Sequence, residues 1–305
     1  MLRKTILLFA LSAFAFANVQ AQDFQGMAVY ESKTSTSDFK TRMEGNKDMT
    51  PDMQKMIEER MKKMFEKTFI LNFSKTTSIY KEEEKLDAPG QGGQGGMRIM
   101  SSMMGGGGTN YKSLKEKAYV VDKEFMGKEF LIKDSLPNYA WKLEGETKLI
   151  GGYNCFKATT VRPVSQADFR NYRPKKEEPK KEESKDETKK PEGEPKKTNF
   201  MDDFELPKEI TITAWYTPEI PISQGPENYW GLPGLILEVS DGKTVVLCSK
   251  IVMNSKEKVE IKAPTNGKVI SQKEYDETVT KKMEEFRQMN QGRGGNGGMQ
   301  IRMGR

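Results

Sequence analysis

The stretch from Trp230 to Cys248 constrains the fold most, because a tight turn, a buried strand and a hairpin follow one another in it. The turn residues are Gly231, Leu232, Pro233 and Gly234, with Pro233 and Gly234 predicted at the two central positions. Proline fixes the φ angle at the first central position of a type II turn, and glycine accepts the positive φ of the second. We therefore interpret these four residues as structural.

Two apolar runs of strand length flank the dipeptide Asp241-Gly242. The first run is Leu235 to Val239, and the second is Thr244 to Cys248. Asp-Gly between two such runs is a strong signal for a two-residue hairpin loop. A loop of that length predicts that Val239 lies opposite Thr244.

Short alternating runs recur along much of the remaining chain. Ile210, Ile212 and Ala214 alternate with polar residues, as on a half-buried strand, and residues 68–80 are interpreted as one long strand. About nine or ten such runs follow one another, most of them joined by short turns. The pattern predicts a mainly β fold: a single curved antiparallel sheet or incomplete barrel, with one or two packed helices and disordered inserts.

Two segments carry helix signals. Thr50 is suited to cap a helix that begins at Pro51, and apolar residues then recur at helical spacing: Met53, Met56, Ile57, Met61 and Met64. Ser271 and Glu274 have the spacing of a capping box, which predicts a final helix. The apolar side of that helix is Tyr275, Val279, Met283 and Phe286.

The hexapeptide from Gly231 to Ile236 is, letter for letter, the signature of the GLPGLI family, which this chain resembles. Further matching residues are Ala214-Trp215-Tyr216-Thr217, Ile220-Pro221, Gly225-Pro226, Gly152-Tyr153-Asn154-Cys155 and Lys157-Ala158. The resemblance covers roughly residues 24–262 apart from inserts. It implies an exported protein of Bacteroidetes-type bacteria. It implies no catalytic residues, because no activity is established for the family.

The first 21 residues have the composition of a secretory signal peptide. Arg3 and Lys4 form a positive start, an apolar stretch runs from Ile6 to Ala17, and small residues precede the expected cleavage site after Ala21. The apolar stretch is too short to span a bilayer comfortably. We therefore expect a periplasmic or secreted protein without a transmembrane segment.

Residues 22–289 are expected to form a single domain that contains two low-complexity segments and is followed by a third. Residues 89–108 are rich in Gly and Met, residues 164–204 in Pro, Lys and Glu, and residues 290–305 in Gly. Segments so rich in glycine or charge bury too little apolar surface to offset the entropy lost on ordering. We interpret all three as disordered.

The chain contains no histidine. Ser-His and Cys-His nucleophiles, His-ligated zinc and the usual proton shuttle at neutral pH are therefore excluded. The net charge of +6 comes with no basic face or nucleic-acid motif, so we expect no nucleic-acid partner. We predict that the protein is not an enzyme and holds no cofactor. A carboxylate-based hydrolase is the disfavoured alternative.

Methionine is abundant, with 19 residues in the chain. Met97, Met100, Met103 and Met104 lie in the Gly/Met-rich segment, where there is no core for them to join. Thioethers are soft ligands that suit Cu(I). The sequence therefore leaves open a copper-handling role for these four residues, against low-complexity drift as the simpler explanation.

Four aromatic residues flank the signature turn: Trp215, Tyr216, Tyr229 and Trp230. They are candidates to line a ligand pocket or to form a stacking platform on the concave face of the sheet. Alternatively, they fill that face as part of the core, as large aromatic side chains usually do.

The two cysteines, Cys155 and Cys248, lie in predicted strands. In an oxidising compartment a pair of cysteines favours a disulfide. The sequence does not place their Cα atoms within bridging reach, so two buried thiols remain equally open.

The leading hypothesis from the sequence is an exported, non-enzymatic cell-envelope protein. It would bind an apolar or amphipathic ligand, or an unknown envelope partner, on its curved sheet. The signal sequence, the antiparallel pattern and the missing catalytic residue types support this hypothesis.

Overall fold

The structure is a computed structural model that describes residues 24–37, 50–83, 107–168, 173–174, 204–254 and 259–292. The helices are α1 (Pro51–Phe65) and α2 (Gln272–Gly292). The strands are β1 (Gln25–Thr34), β2 (Glu66–Ser74), β3 (Thr77–Glu82), β4 (Thr109–Ser113), β5 (Ala118–Phe125), β6 (Lys128–Ser135), β7 (Lys142–Ile150), β8 (Tyr153–Pro163), β9 (Arg173–Pro174), β10 (Phe204–Glu205), β11 (Glu209–Thr217), β12 (Leu235–Ser240), β13 (Thr244–Met253) and β14 (Lys268–Ile270).

Twelve of these strands form one sheet in the order β14-β6-β5-β4-β3-β2-β1-β13-β12-β11-β8-β7, and β9 pairs with β10 separately. Within the described part of the chain, β7 and β14 are the two edges of the large sheet, which is not closed into a barrel. The predicted fold class is confirmed. One pair departs from the antiparallel pattern, because β14 runs parallel to β6. A long excursion of the chain separates those two strands, so no hairpin fixes their relative direction.

Three clusters of buried side chains hold the sheet. The first lies on β1, β2, β12 and β13 and includes Tyr30, Leu71 and Leu237. The second packs Tyr275 and Val279 of α2 against β5 and β6. The third lies mainly on β8, β11 and β12, with side chains from the chain between β11 and β12.

Strand β12 contributes to two of these clusters. Leu235 and Leu237 belong to the first cluster, whereas Ile236 and Val239 belong to the third. Both faces of β12 are therefore covered, which explains why its sequence is a continuous apolar run rather than an alternating one.

Both predicted helices begin where expected. The Thr50 hydroxyl accepts a hydrogen bond from the Met53 amide at 3.3 Å. Ser271 and Glu274 form the predicted capping box, with the Ser271 amide donating to Glu274 Oε2 at 2.8 Å and the Glu274 amide to Ser271 Oγ at 3.2 Å. Met53 is 41% exposed, so the apolar stripe of α1 packs less completely than that of α2. The side chains of Met64 and Phe286 lie outside the described part.

The long strand predicted over residues 68–80 is wrong. This stretch forms two strands, β2 and β3, which pair as a hairpin with Leu71 opposite Tyr80. The turn is made by Ser74, whose hydroxyl accepts hydrogen bonds from the amides of Thr76 at 3.3 Å and Thr77 at 2.9 Å. This local side-chain bond offers the backbone an alternative to continuing the strand.

The hairpin at Asp241-Gly242 is confirmed, but its predicted register is wrong. Val239 lies opposite Val246 instead of Thr244. The Asp241 carboxylate accepts hydrogen bonds from the amides of Lys243 at 2.9 Å and Thr244 at 2.6 Å, and this holds a longer loop closed. A side-chain cap of this kind replaces the tighter two-residue turn.

The structure describes residues at the ends of the three predicted low-complexity segments. Val164 packs against the third cluster, and Ser165 donates to Asp276 of α2 at 2.8 Å, so the body includes the first residues of the predicted insert 164–204. Gly107 and Gly108 precede β4 directly, and α2 extends to Gly292. The predicted signal peptide and residues 89–106, 169–172, 175–203 and 293–305 of the three segments lie outside the described residues. No helix in the described ranges is long and apolar enough to cross a membrane.

Candidate functional site

The irregular segment between β11 and β12, residues 218–234, crosses the sheet, and we call it the strap. Its side chains Ile220, Ile222 and Leu232 are buried in the core clusters. The backbone of the strap also joins β12, because Gln224 O accepts a hydrogen bond from the Ile236 amide at 3.0 Å. The strap is therefore an integral part of the core rather than a surface loop.

The signature turn lies at the end of the strap, and its predicted geometry needs correction. The glycine with positive φ is Gly231, at +97°, whereas Gly234 does not have the positive φ of a type II turn. Gly234 is needed for a different reason. A Cβ at this position would lie 2.1 Å from Thr217 O, so only glycine lets the two backbone segments approach this closely.

Sequence reasoning missed Lys112, which holds the strap from below. This lysine lies on β4, is fully buried, and donates hydrogen bonds through Nζ to Gly225 O at 2.6 Å and Tyr229 O at 2.9 Å. Burial lowers the pKa of the Lys112 amine to about 7, and the Glu227 carboxylate opposes this shift. In sequence, Lys112 looks like an ordinary solvent-facing residue of a short strand.

Further polar side chains join the strap to β3 and β4. Ser78 donates to Gln224 Oε1 at 2.9 Å, and Asn110 Nδ2 donates to Asn228 Oδ1 at 2.8 Å. Gln224 is fully buried, and its Nε2 has no hydrogen-bond partner among the described residues. The strap is thus held to the sheet by a set of buried or partly buried polar contacts.

The four predicted aromatic residues do not meet in one pocket. Tyr216 and Tyr229 are buried in the third cluster, Trp230 packs against the second, and Trp215 packs against the first. The structure therefore brings together two of the four, and both of these are core residues. This arrangement corresponds to the core-filling alternative for Tyr216 and Tyr229.

Two aromatic residues outside the predicted set support the strap. Tyr139 stacks on Tyr229 with ring centroids 5.4 Å apart, and Trp141 Nε1 donates to Trp230 O at 2.8 Å. Both lie in the irregular segment before β7, where no periodic pattern marks them. Trp230 itself donates through Nε1 to Pro137 O at 2.7 Å.

The edge of the sheet at β7 carries an exposed apolar surface, the edge patch, which consists of Leu143, Leu149 and Phe156. Their exposed fractions are 56%, 70% and 37%. Leu143 lies opposite Ala158 of β8 and Leu149 opposite Asn154, and alternate residues of a strand share a face. All three side chains therefore lie on the face that is covered by the third core cluster further into the sheet.

The opposite face of β7 and β8 carries ion pairs. Lys157 Nζ lies 2.8 Å from Glu146 Oε1 and 3.2 Å from Glu144 Oε2. Lys148 Nζ lies 2.6 Å from Glu238 Oε2 and 4.3 Å from the centroid of the Trp215 ring. Glu144, Glu146 and Lys148 of β7 thus have ionic partners within the protein.

A surface groove of about 680 Å³ runs along α2. Two of its acidic residues already hold the helix in place: Asp276 accepts hydrogen bonds from Ser165 Oγ and Gln272 Nε2, and Asp134 accepts one from the Gln272 amide. This groove therefore lies at the joint between α2 and the sheet.

The two cysteines are buried free thiols that belong to the first core cluster. Burial raises the pKa of the Cys155 thiol to about 11 and that of Cys248 to about 12. Thiols with raised pKa values react slowly, because the thiolate is the nucleophile. The structure therefore places a buried thiol of low nucleophilicity at each of these positions.

The predicted copper ligands Met97, Met100, Met103 and Met104 lie outside the described residues. Among the residues that are described, Cys, Asp and Glu side chains do not gather in groups of three that could hold a metal ion.

Comparison with known proteins gives one family match and a distant structural similarity. A family model described as "Protein of unknown function (Porph_ging)" matches residues 141–238, the span from Trp141 into β12. The structures of PNGF-II in the C2 and P21 space groups match with 14% and 15% sequence identity and TM-scores of 0.43 and 0.44. Each match covers 85% of this chain and 33% of the other, so this chain spans about a third of their length. No curated protein matches the chain.

Proposed function

We propose that the protein is an exported, non-enzymatic cell-envelope protein of the GLPGLI type that binds an extended apolar segment of a partner protein at the edge patch. The observation that carries this proposal is the exposure of Leu143, Leu149 and Phe156 on one face of two neighbouring strands. Export is supported by the composition of the first 21 residues.

A partner at the edge patch is favoured over a ligand inside the sheet. Both faces of β12 are covered, and Tyr216 and Tyr229 fill the third cluster. An internal ligand would have to displace these side chains, whereas the edge patch is accessible without any rearrangement. Exposed apolar surface beside a polar face is typical of an interaction site.

The shape of the edge favours an extended segment. β7 is a terminal strand of the sheet, and a bulge interrupts its pairing with β8 between Leu143 and Thr147. Residues 147–150 form the regular part, where a partner strand could add through main-chain hydrogen bonds. Apolar side chains at alternate positions of that strand would then lie beside Leu149, on the face that carries Phe156 one strand further in.

The carboxylates at this edge do not favour hydrolytic chemistry. Glu144 and Glu146 both contact Lys157, and Glu238 contacts Lys148. A glycosidase-type pair would require two carboxyl groups facing each other across a substrate. The arrangement therefore supports binding in preference to catalysis.

Site-specific photo-crosslinking in the native cell tests the proposal. A photoreactive residue at position 149 should give a discrete adduct, and Leu143→Lys in the same chain should abolish it. Val161 is the matched control, because it is 57% exposed and lies on the opposite face of β8. A photoreactive residue there should give no adduct.

The partner identified from the adduct should then bind the purified protein directly. We expect Leu149→Lys to raise the Kd at least tenfold, about 1.4 kcal/mol, and Val161→Lys to change it less than twofold. Equal adducts at positions 149 and 161, or equal effects of the two substitutions, would exclude the edge patch as the binding surface.

A further inference from the structure

We propose that Lys112 is a pH-dependent latch, which holds the strap on the sheet as an uncharged amine and loosens it when the amine takes up a proton. This inference is independent of the edge patch. It concerns a fully buried lysine whose two hydrogen-bond acceptors both belong to the strap.

The hydrogen bonds of Lys112 match the neutral amine. A neutral amine has two N–H groups, and the structure gives it two acceptors, Gly225 O and Tyr229 O. An ammonium group has three N–H groups, and the described residues supply no third acceptor for it. A buried ammonium therefore carries both the cost of leaving water and the cost of an unsatisfied donor.

The neighbours of Lys112 offer it little compensating charge. On the adjacent strands, Ser78 of β3 and Tyr119 of β5 lie directly opposite, and burial together with Asp134 and Asp276 raises the pKa of Tyr119, so it is neutral. On the strap, Glu227 is the charged group that favours the ammonium form. Its effect is smaller than that of burial, which brings the pKa of Lys112 to about 7.

The sign of the pH dependence follows from this shift. An unfolded or released lysine has a pKa of about 10.4, so between about pH 7 and 10.4 the released state binds a proton that the latched state does not. The latched state therefore becomes more stable as the pH rises across this window. The equilibrium constant for release of the strap falls by up to tenfold per pH unit, and this stabilisation is lost as the pH falls to 7. Below that pH the latched state carries a buried ammonium.

Release of the strap would expose the buried ammonium group of Lys112 to water without unfolding the sheet. Lys112 makes its two hydrogen bonds to strap carbonyls rather than to the sheet. One strained backbone position lies beside them, Glu227 with φ of +46°, which is unfavourable for a residue other than glycine. If the strap lifts, water reaches the amine while the strands around Lys112 stay paired.

Direct titration of the lysine side chains by NMR tests the latch. In protein labelled at the lysine ε carbons, the resonance that disappears in Lys112→Met should titrate near pH 7, about three pH units below a lysine in a model peptide. A midpoint for Lys112 above about pH 9 would overturn the proposal. The titration uses the wild-type protein, so it can be read through resonance assignment even if the variant does not fold.

Hydrogen exchange tests whether the strap is what moves. After correction for intrinsic rates, the amide of Ile236, bonded to Gln224 O, should lose about tenfold protection between pH 8 and pH 6. The amide of Leu136, bonded to Lys117 O outside the strap, serves as the control and should not change. Equal loss at both amides would indicate global destabilisation and contradict a local latch.

Discussion

The strap and the edge patch depart in opposite directions from the usual separation of polar and apolar residues. Where the strap meets the sheet, Lys112 of β4 and Gln224 of the strap are fully buried although both are polar. At the edge patch, Leu143 and Leu149 are more than half exposed although both are apolar. Lysine is rarely buried without partners, and a cluster of exposed leucines is uncommon on a monomer.

The buried lysine and the exposed leucines differ in what offsets their unfavourable environment. Lys112 recovers part of its desolvation cost inside the protein, through two hydrogen bonds to the strap. Among the described residues, no side chain covers the exposed parts of Leu143, Leu149 and Phe156, so a partner that binds there would remove this apolar surface from water. Changes at the strap should therefore alter stability, and changes at the edge patch should alter binding.

The largest effect is expected for Gly234→Ala. The added Cβ would lie 2.1 Å from Thr217 O, so the strap and β11 would have to separate. We expect a loss of about 3 kcal/mol in the free energy of unfolding, measured by chemical denaturation. Gly145→Ala on β7 is the matched control, since its Cβ meets nothing within 4 Å, and it should change stability by less than about 0.5 kcal/mol.

A somewhat smaller loss is expected for Lys112→Met at pH 7. Methionine fills a similar volume but leaves the carbonyl groups of Gly225 and Tyr229 without their donor. The expected loss is about 2 kcal/mol, because the cost of these buried acceptors is partly offset by removal of the buried amine. Lys33→Met, at an exposed position of β1, should have little effect. A variant as stable as the wild type would show that the strap does not depend on this lysine.

Tyr30→Phe should cost about 1 kcal/mol. The Tyr30 hydroxyl donates to Ile236 O at 2.7 Å in the first core cluster, close to the end of the strap. The substitution keeps the ring and removes one buried hydrogen bond. Thermal and chemical denaturation should both detect the loss, and an unchanged midpoint would mean that another donor satisfies Ile236 O.

The smallest effect on stability is expected at the edge patch. Leu149→Lys replaces a side chain that is 70% exposed, so the free energy of unfolding should change by less than about 0.5 kcal/mol. Binding to the partner should nevertheless weaken, as proposed above. A large loss of stability would contradict the comparison, because it would show that Leu149 is covered within the protein.

Local sequence signals predicted much of the fold. The capping box at Ser271 and Glu274, the cap at Thr50 and the hairpin at Asp241-Gly242 all appear where expected. Each depends on residues a few positions apart, so a single sequence contains the relevant partners. The predicted register of that hairpin was wrong, because it depends on the hydrogen bonds that the Asp241 carboxylate accepts from the amides of Lys243 and Thr244.

The candidate site was much less predictable. Lys112 resembles any lysine on a short strand, and its acceptors lie more than a hundred residues away in the strap. The four aromatic residues near the signature turn are close in sequence, yet the structure distributes them among three clusters. Adjacent residues on a strand point to opposite faces, so closeness in sequence does not predict a shared pocket.

The sequence by itself determined the mainly β class, the positions of several strand and helix ends, and the requirement for glycine at the signature turn. Only the tertiary structure decided which face each apolar residue occupies, why Gly234 is required, and that Lys112 is buried while Leu149 is exposed. The physical reason is that turns and caps depend on short-range backbone geometry, whereas burial depends on which distant strand or segment covers a residue. That choice is made by the order of the strands and the path of the strap across them.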